Sequence, residues 1–225
     1  TKIAATVGWD AKLREQHLDA LRRNTVLGQI GAYGDEGTLA EARRRFDGFL
    51  ADQSSLHPDL RALTFGLVAQ GGDKRDYDTL WSLEKEAALH EEKVRFLGAL
   101  TRFRDESLLG DLLERSLGDE VRAQDSMLVI VQSAMNALGR DLTWRFVLDN
   151  WGELDRRYGK GGFAIMRIVS ITGSFTTMER HDEVESFFKE HPAPSAARTI
   201  QQSLERIRLN VKWLELNREP VVSWL

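Results

Sequence analysis

The chain has 225 residues, with 31 lysines plus arginines, 35 aspartates plus glutamates and a formal charge of −4. That balance argues against a nucleic-acid protein, which carries a basic excess or stripe. The hydrophobic fraction of 42% beside 29% charged residues excludes intrinsic disorder, and the absence of cysteine excludes disulfide scaffolds, thiol nucleophiles and cysteine-ligated zinc.

Only four prolines are present, which suits an all-helical chain, because interior proline removes an N–H and clashes with the preceding turn. Thr1 to Asp10 has neither the basic start nor the apolar run of a signal peptide. It also lacks an initiator methionine, so the chain reads as an excised piece of something longer. No stretch reaches the roughly 18 apolar residues that a membrane helix needs.

Taken in chain order, the first break falls at Gly31 to Gly37, where Thr38-x-x-Glu41 offers a capping box for the next helix. Gln70-Gly71-Gly72-Asp73 then predicts a left-handed glycine at one helix end and an aspartate cap at the next start. Further breaks fall at Arg104-Asp105, Gly118-Asp119, Gly139-Arg140-Asp141, Gly159-Lys160-Gly161-Gly162 and His191-Pro192-Ala193-Pro194. Leu108, Leu109, Leu112, Leu113 and Leu117 build one apolar helix face between two of them.

The run Met127 to Val131 has the composition of a buried strand. However, Gln124-Asp125-Ser126 precedes it as a cap candidate and Ala134, Met135 and Leu138 continue at helical spacing, so it reads as a buried helix. Trp144, Val147, Leu148, Trp151, Leu154 and Tyr158 form a single stripe over four turns. Ile200, Leu204, Ile207, Val211 and Leu214 form another on a long last helix. The punctuation predicts about ten or eleven helices, paired with a pitch of about 35 residues over the first two-thirds. The expected fold is an all-α, HEAT- or armadillo-like superhelix of antiparallel helix pairs, a single helical-repeat domain over 1–225, with a concave binding face.

Catalytic motifs are nearly absent. His17, His57, His90, His181 and His191 offer no pair at i and i+4. His90-Glu91-Glu92-Lys93-Val94 opens like a zinc helix, but valine stands where the second imidazole must be. Gly159-Lys160-Gly161-Gly162-Phe163 lacks the spacing of a phosphate loop and reads as a hairpin turn. Ser170, Ser174, Ser186 and Ser195 have no nucleophile context. Asp149 with Glu153 and the run Arg43-Arg44-Arg45 read as solvated faces, and Trp144, Trp151 and Trp213 read as core rather than as an aromatic cage.

Several spaced stretches carry a family resemblance. Glu120-Val121-Arg122-Ala123-Gln124-Asp125 is followed by Trp144-Arg145-Phe146 and by Asn150-Trp151-x-x-Leu154-x-x-Arg157-Tyr158. Then come Glu185-x-Phe187-Phe188-x-x-His191-Pro192-Ala193-Pro194, Arg198-Thr199-Ile200-Gln201-Gln202 and Glu205-x-Ile207-x-x-Asn210-x-x-Trp213-Leu214. Together, and over essentially the whole chain, they resemble the C-terminal helical domain of M1-family zinc aminopeptidases. The His-Pro-Ala-Pro and Arg-Thr-Ile-Gln-Gln stretches, with Trp9-Asp10, look closest to the puromycin-sensitive branch. The zinc and exopeptidase motifs of that family are missing here and belong to an earlier domain.

The resemblance implies a non-catalytic domain that encloses a peptide-binding cavity and gates access to an active site elsewhere. It further implies zinc in the parent's catalytic domain and no cofactor in this chain. The implied partners are peptide substrates and that catalytic domain, with neither nucleic acid nor membrane, in a cytoplasmic setting that the missing cysteines suit. Ala99-Leu100-Thr101-Arg102 resembles the family pattern whose arginine holds the substrate's C-terminal carboxylate, which marks Arg102 as a substrate-binding candidate. A free-standing HEAT-like adaptor for protein partners is the alternative expectation.

Overall fold

The computed structural model describes residues 6–12, 15–160 and 163–224, without the His17 side chain. Among the described residues there are twelve helices and no strand. They are α1 (His17–Ala32), α2 (Glu36–Ala51), α3 (Pro58–Gly71), α4 (Lys74–Glu86), α5 (His90–Leu100) and α6 (Glu106–Leu117). Then follow α7 (Ala123–Met135), α8 (Gly139–Asp149), α9 (Trp151–Tyr158), α10 (Phe163–Ser170), α11 (Met178–Glu190) and α12 (Ala197–Trp224). The chain divides into two compact units, Thr1–Val121 and Arg122–Leu225.

In the first unit the helix starts are set mostly by side chains. Asp35, not Thr38, caps α2: its carboxylate accepts from the Thr38 backbone N–H at 2.8 Å and from the Thr38 hydroxyl at 2.7 Å. The helix therefore begins three residues ahead of the expected capping box, because a carboxylate outcompetes a hydroxyl for the free N–H groups. Asp73 caps α4 as expected, and Asp76 closes the reciprocal bond. Gly72 before it is extended (φ −83°, ψ 163°) and not left-handed, since α3 ends by passing straight into that cap. A left-handed conformation is instead taken by Gly34 (φ 87°), in the turn between α1 and α2, where a side chain would be strained.

Helix α3 is the axis of this unit, with Thr64 to Ala69 all buried. A helix apolar all round has to be surrounded, and α3 packs against α1, α2, α4 and α5. Phe65 stacks on Phe96 of α5 with ring centroids 4.9 Å apart and meets Phe49 of α2 edge-on at 5.0 Å. Helices α2, α4 and α6 form the other row. Arg43 of α2 forks onto Asp76 of α4 at 2.6 and 2.7 Å, and Tyr77 of α4 donates to Asp111 of α6 at 2.7 Å. Lys85 reaches Glu120 at 3.0 Å. These bridges join residues 33, 34 and 35 apart, which is the helix-pair pitch read from the punctuation.

The second unit starts its helices differently. Arg122 precedes α7 without a side-chain cap, so the expected cap at Gln124-Asp125-Ser126 is wrong; those residues already lie inside the first turn. Val129 and Ile130 of that helix are fully buried, so the Met127 to Val131 run is helical, as its spacing predicts. The stripe from Trp144 to Tyr158 keeps its phase but belongs to two helices. Asn150 breaks the chain between them (φ −111°, ψ 14°), and its side-chain amide donates to the Phe146 carbonyl at 2.9 Å, closing α8. That break takes the helix number past the expected ten or eleven.

The core of this unit is aromatic. Trp144 of α8 lies edge-on to Phe175 at 5.9 Å and to Phe187 of α11 at 5.7 Å, while Trp151 of α9 meets Phe188 at 5.3 Å. Such offset pairs add about 0.5–1.5 kcal/mol each beyond area burial. Helix α12 packs against α10 and α11 and buries Ile200, Leu204 and Ile207. Beyond them Trp213 is 57% exposed. Its expected place in the core fails because it lies on the far side of the helix from the stripe that packs.

Candidate functional site

The sequence-level candidates for chemistry resolve into structural roles. Among the described residues, no group of three histidines and carboxylates stands where it could hold a metal ion. His57 caps α3 through Nδ1, His181 is buried beside Asp182, and His191 stacks on Phe187 at 4.4 Å. His90 opens α5 and Val94, one turn on, has no donor to offer. Of the glycine-rich turn, Gly161 and Gly162 lie outside the described residues. Gly159 accepts through its carbonyl from the Ser195 hydroxyl at 3.1 Å.

The charged candidates are likewise engaged. Glu153 binds both Arg156 and Arg157, which holds its carboxyl down at about 2. Arg44 and then Arg45 hold Glu41 at about 2, against the opposing effect of its partial burial. The Arg43-Arg44-Arg45 run is therefore a set of internal pairs. Only Arg44 fits the expectation of a solvated face; Arg45 is largely buried, with its guanidinium 5.2 Å from the Trp9 ring centre. Trp144 and Trp151 are core residues, and no cage forms around them.

Arg102 stands apart from these. It lies just past the C-terminal end of α5, exposed to solvent, and among the described residues its guanidinium makes no ion pair. Gly66 of α3 lets it lie close. A methyl group added at Gly66 would stand 2.9 Å from Arg102 Cδ and 3.2 Å from Nε. The stem of the arginine thus rests on bare helix backbone while the fork stays open.

The neighbouring helix ends converge on the same region. Gln70, at the end of α3, donates from Nε2 to the Ala32 carbonyl at the end of α1 (3.1 Å). Arg104 donates to that carbonyl at 3.3 Å. The C-terminal ends of α1, α3 and α5 are thereby tied together, and their unpaired carbonyls carry partial negative charge that favours cations beside them. Arg104 donates to one of these carbonyls, whereas among the described residues the Arg102 guanidinium makes no ion pair. A planar, permanently charged fork of that kind suits a carboxylate.

Gly66 is singled out by no motif, and Gln70 and Arg104 enter the sequence pattern only as parts of helix breaks. Their signal is positional. Gly66 precedes Arg102 by one helix-pair pitch, and the bonds from Ala32 to Gln70 and to Arg104 span 38 and 72 residues, close to one and two pitches.

Comparison with known proteins agrees with the resemblance. The family model of the ERAP1-like C-terminal domain matches residues 1–209. Aminopeptidase M1 of Arabidopsis thaliana is 38% identical over 218 residues, covering 94% of this chain and 24% of the relative. Glutamyl aminopeptidase of Sus scrofa is 30% identical over 225 residues, covering 99% and 24%. Puromycin-sensitive aminopeptidase of Caenorhabditis elegans is 28% identical over 233 residues, covering 100% and 25%. The chain spans about a quarter of the length of the curated relatives it matches.

Proposed function

The chain belongs to the ERAP1-like C-terminal domain family of M1 aminopeptidases, and from that premise we propose that it walls a peptide-holding cavity and gates access to a catalytic centre supplied by another part of the parent enzyme. The residues present do not fit a zinc ion, since Val94 replaces the second imidazole and no other donor set is assembled among the described residues. In this reading the zinc chemistry belongs to another part of the parent, and the chain's own part is to bind and confine the peptide.

The observation that carries the proposal is the open fork of Arg102, held by its stem on Gly66 at the joined ends of α1, α3 and α5. In this reading Arg102 takes the C-terminal carboxylate of the peptide, far from the end being trimmed. A charge-assisted, two-pronged contact fixes the peptide's direction as well as its position. A peptide anchored at its far end reaches a distant centre only if it is long enough, so this contact also favours longer substrates.

The test is binding of a fluorescent peptide to the purified chain, with its C-terminus either free or amidated. The free acid should bind more tightly by about tenfold, as expected for a charged hydrogen-bonded pair worth roughly 1.5–3 kcal/mol before solvent screening. Arg102→Ala should erase that preference, and Gly66→Ala, which displaces the arginine stem, should reduce it. Equal binding of acid and amide would overturn the assignment. Release of coumarin from an aminoacyl-coumarin by the isolated chain with added zinc would overturn its non-catalytic role.

A further inference from the structure

Where α2 and α4 end and α3 and α5 begin, the first unit frames a cavity of about 310 Å³. That volume lies at the low end for small-molecule sites, roughly 300–1,000 Å³. Phe49, Leu83, Ala87 and Phe96 give it apolar walls, and Arg61 and Glu92 supply charge inside it. The exposed Glu86 lines it as well. All of these residues belong to one unit, so the cavity is a product of local helix packing.

Its two interior charges differ in how far they are satisfied. Arg61 donates from Nη1 to Glu92 Oε1 at 3.1 Å, from Nη2 to the Gln53 carbonyl at 2.9 Å and from Nε to the Leu56 carbonyl at 3.3 Å. Its guanidinium also lies 5.2 Å from the Phe49 ring centre. Glu92 is engaged at one oxygen only. Its Oε1 accepts from Arg61 and from Arg95, whereas Oε2 is buried and has no hydrogen-bond partner among the described residues. A buried carboxylate oxygen without a donor has lost its hydration for nothing in return, which is destabilising unless some group takes that place. Water is a poor occupant. It needs about two to four polar partners, and the walls formed by Phe49, Leu83, Ala87 and Phe96 offer none from their side chains.

The surrounding charge selects the kind of donor. Arg61 and Arg95 face the three carboxylates of Glu86, Glu91 and Glu92. Lys93 is taken up by the Glu84 carbonyl at 2.6 Å and its carboxylate at 3.6 Å. One negative charge is thus left over beside apolar walls. A metal ion needs several ligands, and among the described residues no such group is assembled. We propose that this cavity binds a small organic cation, an ammonium or amidinium group carried on a short apolar body. The cation donates an N–H to Glu92 Oε2, and its body lies among Phe49, Leu83 and Phe96. The charge-assisted bond sets selectivity and the apolar contact adds affinity. Glu92 opens α5 and Arg102 lies past its other end, roughly 15 Å away at 1.5 Å per residue, so this site is independent of the carboxylate anchor proposed there.

The test is an NMR titration of the 225-residue chain with benzylamine and with benzyl alcohol, which share one ring and differ in charge. Benzylammonium should bind about tenfold more tightly, because a charged donor makes roughly twice as strong a bond as a neutral one. Intermolecular NOEs should run from its ring to the methyl groups of Leu83 and Ala87. Glu92→Gln keeps the shape but presents an amide, and should erase the preference while leaving benzyl alcohol unaffected. Glu86→Gln disturbs neither arginine pair, so it reads the charge term even if Glu92→Gln fails to fold. It should weaken benzylammonium selectively, by about two- to threefold. Arg102→Ala should change neither affinity, which separates failure of this site from failure of the peptide anchor. Equal binding of amine and alcohol overturns the proposal, as does a preference that survives Glu92→Gln. NOEs to other residues overturn the location, and a chain that binds neither probe, with only water at Glu92, overturns the site itself.

Discussion

The two units start their helices by different means. In the first unit Asp35, His57, Asp73 and Asp105 each accept from the free N–H groups at the head of a helix. In the second, α7, α8 and α9 begin at Arg122, Leu138 and Asn150 with no side-chain cap, whereas α11 is capped by Thr177. The first unit is also laced between helices by Arg43–Asp76 and Tyr77–Asp111. The second adds to the Arg180–Asp141 tie between α11 and α8 a set of interlocked aromatic rings around Trp144 and Trp151. A helix whose ends are locally satisfied has boundaries encoded in a few adjacent residues. A helix without caps owes its boundaries to what its flank packs against.

The largest effect that would test this contrast is at Trp144, which is fully buried. Trp144→Ala should cost about 3–5 kcal/mol by opening a cavity where three aromatic neighbours meet. Urea unfolding followed by circular dichroism measures it, and a loss below about 1 kcal/mol would mean that the aromatic cluster is not what holds the second unit.

Acid should separate the units next. Among the described residues the first unit holds seven carboxylates whose protonation is shifted downwards: Asp35, Glu41, Asp52, Asp76, Asp105, Asp111 and Glu120. The second holds two, Glu153 and Glu185. The causes are hydrogen bonds from Thr38 on Asp35, from Arg44 on Glu41 and from Arg43 on Asp76, while at Asp111 burial opposes the lowering that Tyr77 and Arg115 bring about. A carboxylate whose folded value is depressed contributes stability that is present above its unfolded value and is lost as pH falls through the folded one. For Glu41 that window runs from 4.5 down to about 2. Amide hydrogen exchange should therefore show protection lost first in α2, α4 and α6 as pH falls from 5 to about 2.5; earlier loss in α7 to α12 would break the comparison.

The smallest effect concerns the caps themselves. Asp73→Ala should destabilise by about 1 kcal/mol, because two N–H groups lose their acceptor. Arg122→Asp should do the reverse at α7 by a few tenths of a kcal/mol to about 1 kcal/mol. Thermal melts of the two variants measure both, and opposite signs are the expected result.

Much of the fold was legible in advance because helical periodicity and the punctuation between helices are local. The apolar stripe of α6, the helical character of Met127 to Val131 and the cap at Asp73 all stand where spacing puts them. The misreadings share one cause. Thr38 was outcompeted by Asp35, Asn150 interrupted a stripe whose phase never changed, and Trp213 continued an apolar pattern on a face with nothing packed against it. In each case a pattern compatible with two structures was decided by a competitor or a neighbour. The candidate site was legible only at Arg102; Gly66, Gln70 and Arg104 come to it through packing of helices that lie one and two pairs apart.

By itself, then, the sequence determined an all-helical chain of pitched pairs and its family, since both reside in residue spacing that survives without tertiary contacts. Tertiary structure alone decided which arginine stem rests on the Gly66 backbone, which tryptophans are interior and which face of the last helix is left open among the described residues. Those outcomes depend on partners far away in the chain, whose identity no local pattern records.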